Sequence, residues 1–257
     1  MTDTKNGNVV LNTSADGVAT IVFYHPAQNS LPAHLLQALT DKINEAGNNP
    51  QTKVIVLQSA GERTFCAGAS FDELLQIKDK EAGAVFFSGF ANVINACRKS
   101  SKIIIARVQG KAVGGGVGLA AGADYVLATE AASIKLSELA IGIGPFVISP
   151  AVIRKIGLPA FSQLTIRAVD FQSAKWAMEK GLYNEVYTDI PALDEGLSTL
   201  THKLASYHPE ALAGLKQILW EGTENWDQLL TERAAISGEL VLSEFTQHAL
   251  NGFLKKE

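Results

Sequence analysis

The stretch that decides the fold runs from Ile103 to Ala121, "IIIARVQGKAVGGGVGLAA". Ile103 to Val108 is an almost unbroken apolar run of the length of a buried strand. Four glycines in five positions, Gly114, Gly115, Gly116 and Gly118, then lead into a small-residue helical pattern. Upstream, Val54 to Leu57 is a second short buried strand, and between the two Phe86, Phe90, Val93, Ile94 and Cys97 recur at helical spacing. Strand alternating with helix predicts an α/β chain with a parallel sheet. Further out, Val9 to Leu11, an Asp16-Gly17 turn and Val18 to Tyr24 predict an opening hairpin. Leu31, Leu35, Leu36, Leu39 and Ile43 predict a helix started by Ser30 and Pro32 and stopped by Gly47. Beyond about residue 145 the pattern turns helical. Ser149-Pro150 opens one helix, Pro159 a second, Phe171 to Lys180 a third ended by Gly181, and long helical stretches run from Pro191 onward. No repeat or linker composition interrupts the chain, so residues 1–190 are expected to form one sheet-based core and 191–257 a helical C-terminal segment.

Composition narrows the function. The 257 residues are 47% hydrophobic and 19% charged, with a formal net charge of -4, so no broad attraction for nucleic acid or an anionic membrane is expected. Cys66 and Cys97 show no CxxC or Cys/His spacing; neither a disulfide framework nor a metal site is expected, and a reduced cytoplasmic setting fits. Met1 to Asn8 is polar, and no apolar run reaches the roughly 18 residues of a membrane span, so the chain reads as soluble.

The glycine cluster admits three readings. Gly116-Val117-Gly118-Leu119-Ala120-Ala121 satisfies GxGxxA with Glu138 roughly 20 residues on, as a dinucleotide site asks. However, Gln109 to Val113 separates it from the strand it should follow directly, and no Gly-Lys-Ser/Thr ends it as a phosphate loop would. The second reading is close packing of a helix on a strand. The third uses the unpaired amides of a helix start to grip a developing negative oxygen. Thr64-Phe65-Cys66-Ala67-Gly68-Ala69-Ser70-Phe71 has the same potential, passing through small residues into a helical pattern at Phe71, Leu74 and Leu75. Two amides from two such loops would make an oxyanion hole.

Three segments in order carry a family resemblance: Gly61-Glu62-Arg63-Thr64-Phe65-Cys66-Ala67-Gly68-Ala69, Gln109-Gly110-Lys111-Ala112-Val113-Gly114-Gly115-Gly116, and Ser137-Glu138-Leu139-Ala140-Ile141-Gly142-Ile143-Gly144-Pro145. Together they resemble the signatures of the crotonase, or enoyl-CoA hydratase/isomerase, superfamily. The motif wording is somewhat like that of methylglutaconyl-CoA hydratases. The resemblance implies a spiral of repeated strand-strand-helix units, with tail helices that build homotrimers or dimers of trimers. It implies an acyl-CoA thioester as substrate, with coenzyme A carried on the substrate and no separate cofactor. By motif position the enolate oxygen would meet the N–H groups of Ala69 and Gly115. Ala27, Ala67, Gly68 and Gly114 would contact substrate, adenine through backbone groups near Ala27 and Ala67.

The acid/base residues depart from the best-known members. Hydratases of the family commonly use two glutamates; here Gly118 stands at the first position, and Glu138 matches the second. Leu136, Leu139, Ile141 and Ile143 around it would raise its pKa if they enclose it. One carboxylate can move one proton, so the expected reaction is the shift of a 3-enoyl-CoA to a 2-enoyl-CoA. Hydration of a short or branched enoyl-CoA such as methylglutaconyl-CoA, and a non-catalytic acyl-CoA-binding or scaffold role, are the alternatives. Ser70, Asp72 and Glu73 read as helix capping and first-turn charge. His25 and His34 lie near the implied CoA path without a recognisable partner, and Lys111 reads as a solvated lysine. Lys255 and Lys256 could meet CoA phosphates, with a frayed charged end as the simpler reading.

Overall fold

The structure, a computed structural model, describes residues 5–254, with side chains as far as Gly252. The opening hairpin forms as expected: β1 (Asn8–Thr13) and β2 (Val18–Tyr24) pair antiparallel, Leu11 opposite Ile21. α1 (Ala33–Asn48) buries Leu35, Leu36, Leu39 and Ile43 over this pair. Its ends differ from the expectation. Leu31 precedes the helix, in a parallel bridge with Ala69, while Gly47 lies inside the last turn, where an added Cβ would stand 3.0 Å from Ser100 Oγ.

Three strand-strand-helix units follow. The first is β3 (Val54–Ser59), β4 (Thr64–Cys66), α2 (Phe71–Gln76) and α3 (Lys80–Lys99); the second is β5 (Ile103–Val108), β6 (Lys111–Val113) and α4 (Gly115–Gly122). The third is β7 (Tyr125–Thr129), β8 (Ile134–Lys135), a 3-10 turn over Glu138–Ile141, and α5 (Ser149–Ile166). α6 (Ala174–Glu179), β9 (Glu185–Tyr187), α7 (Ile190–Ala205), α8 (Pro209–Leu219), α9 (Trp226–Leu240) and α10 (Glu244–Leu254) complete the described chain. The first strand of each unit joins a large sheet ordered β1-β2-β3-β5-β7-β9, parallel from β2 onward; the second joins a small parallel sheet ordered β4-β6-β8. The spiral implied by the resemblance is this alternation between two sheets.

Both faces of the large sheet are covered, which is why β3 and β5 read as continuous apolar runs. One face joins the main core with α1 and α3; on the other, Val54, Ile103, Ile105 and Leu127 pack against Leu193 of α7 and Leu212 of α8. Polar ties fasten the same helices. Arg107 on β5 donates from Nη2 to Asp194 Oδ2 on α7 at 3.1 Å, and Lys216 on α8, 2% exposed, donates to both carboxylate oxygens of buried Asp124 at 2.7 and 2.9 Å. α5 breaks at Gly157 (φ +73), so Pro159 opens a second segment as expected. Phe171 stays outside α6, which begins after Ser173, whose Oγ accepts from Trp176 N.

The C-terminal helices also close over the front of the core. α9 crosses α3 at a point where a Cβ on Gly83 would stand 2.5 Å from Gly238 O, so glycine on both helices permits the contact. α10 backs the 3-10 turn: a Cβ on Gly142 (φ +86) would stand 2.6 Å from Thr246 Oγ1. Among the described residues no helix is long and apolar enough to cross a membrane.

Candidate active site

The small sheet positions the site. Ala69 follows β4, Gly115 follows β6 and Glu138 follows β8, so the three residues stand beyond the carboxyl ends of three adjacent parallel strands. Such ends are where open parallel sheets leave a crevice. The pairs Thr64 with Lys111 and Ala112 with Ile134 set the strands level, and three distant segments meet as a result.

The backbone there is arranged to leave donors free. Leu31 N donates to Gly68 O at 2.8 Å and Ser70 N to Leu31 O at 3.3 Å, a parallel bridge that turns the intervening Ala69 N–H away. Gly115 is the first residue of α4, where a helix has no preceding turn to accept its N–H. Among the described residues neither amide donates to a backbone carbonyl. The two loops touch: a Cβ on Gly68 (φ +91) would meet Val113 O at 2.9 Å and Gly115 N at 3.4 Å. Gly114 (φ +54) caps α4, its carbonyl accepting from Val117 N at 2.9 Å and its N–H donating to Lys135 O at 2.8 Å. A Cβ on Gly114 would stand 2.9 Å from Glu138 Oε1, so the glycine makes room for the carboxyl group.

Glu138 is half-buried as a residue, but its Oε2 is sealed from solvent and has no hydrogen-bond partner among the described residues. Burial pushes its pKa up from 4.5 to about 7, because a charged carboxylate loses its hydration there. Leu136, Ile141 and Ile143 are buried as expected, whereas Leu139 points outward, 49% exposed. Ala67, Gly68, Ala69, Gly114, Gly115 and Glu138 line one narrow cavity of about 50 Å³. Its apolar walls include Leu74 of α2, Phe87 and Phe90 of α3, and Ile148.

Ala27 lies outside this cavity, on an exposed loop. The loop adjoins Ala67 through Ala67 N donating to Gln28 O at 3.2 Å. Asn29, buried with φ +56, pins the two segments, its Nδ2 donating to Ala60 O and Thr64 O at 2.9 and 2.8 Å. His25 does have a serine partner, Ser30 Oγ at 3.1 Å from Nδ1, away from the cavity lining; His34 is exposed against Asn6 O. Ser70 caps α2 by accepting from Glu73 N, and Glu73 Oε2 accepts from Ala33 N at the start of α1. Asp72 sits in the first turn of α2. Lys111 points out over the Phe171 ring, 5.3 Å from its centroid. Lys255 and Lys256 lie outside the described residues.

The dinucleotide reading fails on packing. A Cβ on Gly116 would stand 2.5 Å from Cys66 O, and one on Gly118 would stand 2.3 Å from Ile148 Cγ2, so both glycines face protein and leave no room for phosphate. Sequence reading missed Ile148 and Ser237, the latter a cavity-lining residue of α9; neither lies in a motif. It also passed over Asn29, whose buried side chain has no local signature.

A spiral of strand-strand-helix units with two free amides and the Glu138 carboxyl group at one cleft is the arrangement that the crotonase resemblance implies. Residues 13–256 match the family described as enoyl-CoA hydratase/isomerase, and the chain belongs to that family. It is 27% identical to the short-chain-enoyl-CoA hydratase of Clostridium acetobutylicum over 252 residues, 97% of this chain and 95% of that protein. It is also 27% identical to the carnitinyl-CoA dehydratase of Escherichia coli (strain K12) over 217 residues, 84% of this chain and 78% of that one. Among solved structures, an enoyl-CoA hydratase from Bacillus halodurans superposes with a TM-score of 0.88 at 21% identity, over 95% of this chain and 99% of that one. An enoyl-CoA hydratase from Mycobacterium avium gives 0.83 at 26% identity, over 97% and 96%.

Proposed function

We propose that this enzyme moves the double bond of a short 3-enoyl-CoA into conjugation with the thioester, with Glu138 as its single acid/base group. The observation that carries this reading is Ile148. It occupies the space beside Gly118 where a second glutamate would have to enter, since even a Cβ there would stand 2.3 Å from Ile148 Cγ2. Glu138 is then the one ionisable side chain lining the cavity among the described residues.

The thioester oxygen is held by the N–H groups of Ala69 and Gly115. Glu138, as carboxylate, removes a proton from the carbon alpha to the thioester, and the electron pair moves into a dienolate whose oxygen those amides stabilise. The same carboxyl group returns the proton at the gamma carbon, so no proton, water or further cofactor is consumed. A pKa of about 7 suits both halves, because the acid and base forms are both populated near neutrality. Ala27 and Ala67 border the path proposed for the adenine, and Gly68 and Gly114 allow the thioester to approach the backbone.

Hydration is the second reading, favoured by what the named relatives do. A methylglutaconyl group is the less supported form of it, because its second carboxylate would enter a cavity with no cation in its lining among the described residues. A homotrimer or dimer of trimers built through residues 191–257 is supported by exposed apolar side chains such as Ile218 and Phe245. A reduced, cytoplasmic setting is supported by Cys66 and Cys97, both free and buried.

The test is to assay matched 3-enoyl-CoA, crotonyl-CoA and methylglutaconyl-CoA side by side, with alpha-proton exchange followed by mass in heavy water. Isomerisation with exchange, both lost in Glu138→Gln, is the expected result. Efficient hydration of either conjugated substrate would overturn the single-base reading, and binding without exchange or turnover would favour a scaffold.

A further inference from the structure

We propose that Asn29 is a positioning residue for the oxyanion hole, its side chain fixing the segment that holds the Ala69 N–H in place. The inference rests on the reading of that amide as a donor to the thioester oxygen. The pairing of β4 with β6 stops where Cys66 lies opposite Ala112, so no pairing within the small sheet reaches Ala67 to Ala69. Segment 28–31 holds them instead. Ala67 N donates to Gln28 O at 3.2 Å, Leu31 N to Gly68 O at 2.8 Å and Ser70 N to Leu31 O at 3.3 Å. Ala69 stands between the last two bonds, so the direction of its amide follows the placement of Leu31.

Segment 28–31 precedes α1 and takes its own anchorage from Asn29, two residues before Leu31. Asn29 is 4% exposed with φ +56, a left-handed conformation that asparagine adopts more readily than most residues. Its amide is fully used: Nδ2 donates to Ala60 O at 2.9 Å and to Thr64 O at 2.8 Å, and Oδ1 accepts from His25 N at 3.0 Å. Thr64 opens β4. The side chain therefore ties segment 28–31 to the entrance of that strand, while the backbone bonds tie it to the residues beyond the exit. Without Asn29, two carbonyls lose a donor and the segment is free to shift against the loop that bears Ala69.

The consequence falls on the transition state. Charge reaches the thioester oxygen only after the alpha proton leaves, so a misaimed donor lowers turnover more than substrate binding. Removing a donor costs about 10²- to 10³-fold, and a small displacement from a distant change costs up to about 10²-fold. Asn29 displaces a donor without deleting it, so the expected loss in kcat is about 10- to 100-fold.

Two variants test this. Asn29→Gly tolerates the positive φ and removes all three side-chain bonds; Asn29→Asp keeps the acceptor for His25 N and sets an oxygen against two carbonyls. Butyryl-CoA isotope-labelled at the thioester carbonyl is bound to each, and its carbonyl stretch is followed by infrared difference spectroscopy. On the wild type the stretch should move to lower frequency. On both variants that shift should shrink, and kcat with 3-enoyl-CoA should fall, while the dissociation constant of butyryl-CoA stays within about threefold and shows that the variants are folded. A full carbonyl shift with wild-type kcat in Asn29→Gly overturns the proposal. So does a loss confined to KM or to the dissociation constant, and so does failure of both variants to fold, which would make Asn29 a residue of global stability. No carbonyl shift on the wild type refutes the oxyanion reading itself. A wild-type shift without isomerisation refutes only the proposed reaction, and the infrared comparison still decides the role of Asn29.

Discussion

At Glu138 a carboxyl group enclosed by Gly114 and apolar side chains has no partner for Oε2, so its ionisation is set by desolvation. Activity should rise with pH through about 7 as the base form fills, and a rate profile with its ascending limb near 4.5 would contradict this. Stability runs the other way. The folded pKa lies above the unfolded one, so the folded state binds more protons between pH 4.5 and about 7, and stability falls across that window. Glu138→Gln should therefore gain in denaturant stability over the wild type, by up to about 3 kcal/mol above pH 7, with the difference shrinking toward pH 4.5. The same substitution should lower turnover by about 10²- to 10⁴-fold, measured with 3-enoyl-CoA. Sequence alone made Glu138 a candidate by motif position. It could not establish that Leu139 turns outward while Ile141 turns inward, because a four-residue 3-10 turn has too little periodicity to assign faces.

At the scale of elements, α4 is held by contacts that only glycine allows. Gly115→Ala would place a Cβ 2.2 Å from Phe90 Cε1, displacing the ring and the amide beside it. The expected loss is about 10²- to 10³-fold in kcat, the usual cost of one oxyanion donor, with a fall in melting temperature. Gly118→Glu tests the space filled by Ile148. Alone it should destabilise by roughly 1–3 kcal/mol through overpacking, and adding Ile148→Ala should recover much of that loss in urea titrations. No recovery would mean that Ile148 is not the obstacle. The main helices and the first strands of the first two units, β3 and β5, were legible because their apolar patterns are long enough to read, whereas β7 was not singled out. β4, β6 and β8, of two or three residues each, carry too few positions for any period, yet they bring the site together.

Across the whole molecule, the C-terminal helices are part of the site's construction: α7 and α8 cover the large sheet, α10 backs the turn bearing Glu138, and α9 supplies Ser237. Asp124 anchors this arrangement, accepting from Lys216 Nζ, from Trp220 Nε1 at 2.6 Å and from Ile104 N at 2.7 Å. Lys216→Met should cost about 3–5 kcal/mol by chemical denaturation, because the carboxylate stays buried after its cation is lost. A cost near zero would show that Trp220 and Ile104 suffice.

The sequence by itself determined the hairpin, the helix and strand alternation, the three ordered motifs and Glu138 at one of the two glutamate positions with Gly118 at the other, because these depend on local periods and on residues close together in the chain. Only the tertiary structure decided that Ala69, Gly115 and Glu138 share one cavity, that Glu138 is desolvated, that Ile148 fills the space beside Gly118, and that Ser237 of α9 lines the same cavity. Each of these is a meeting of segments far apart in the chain. Such meetings are fixed by packing across two sheets and a helix crossing at Gly83 and Gly238, for which no local pattern exists.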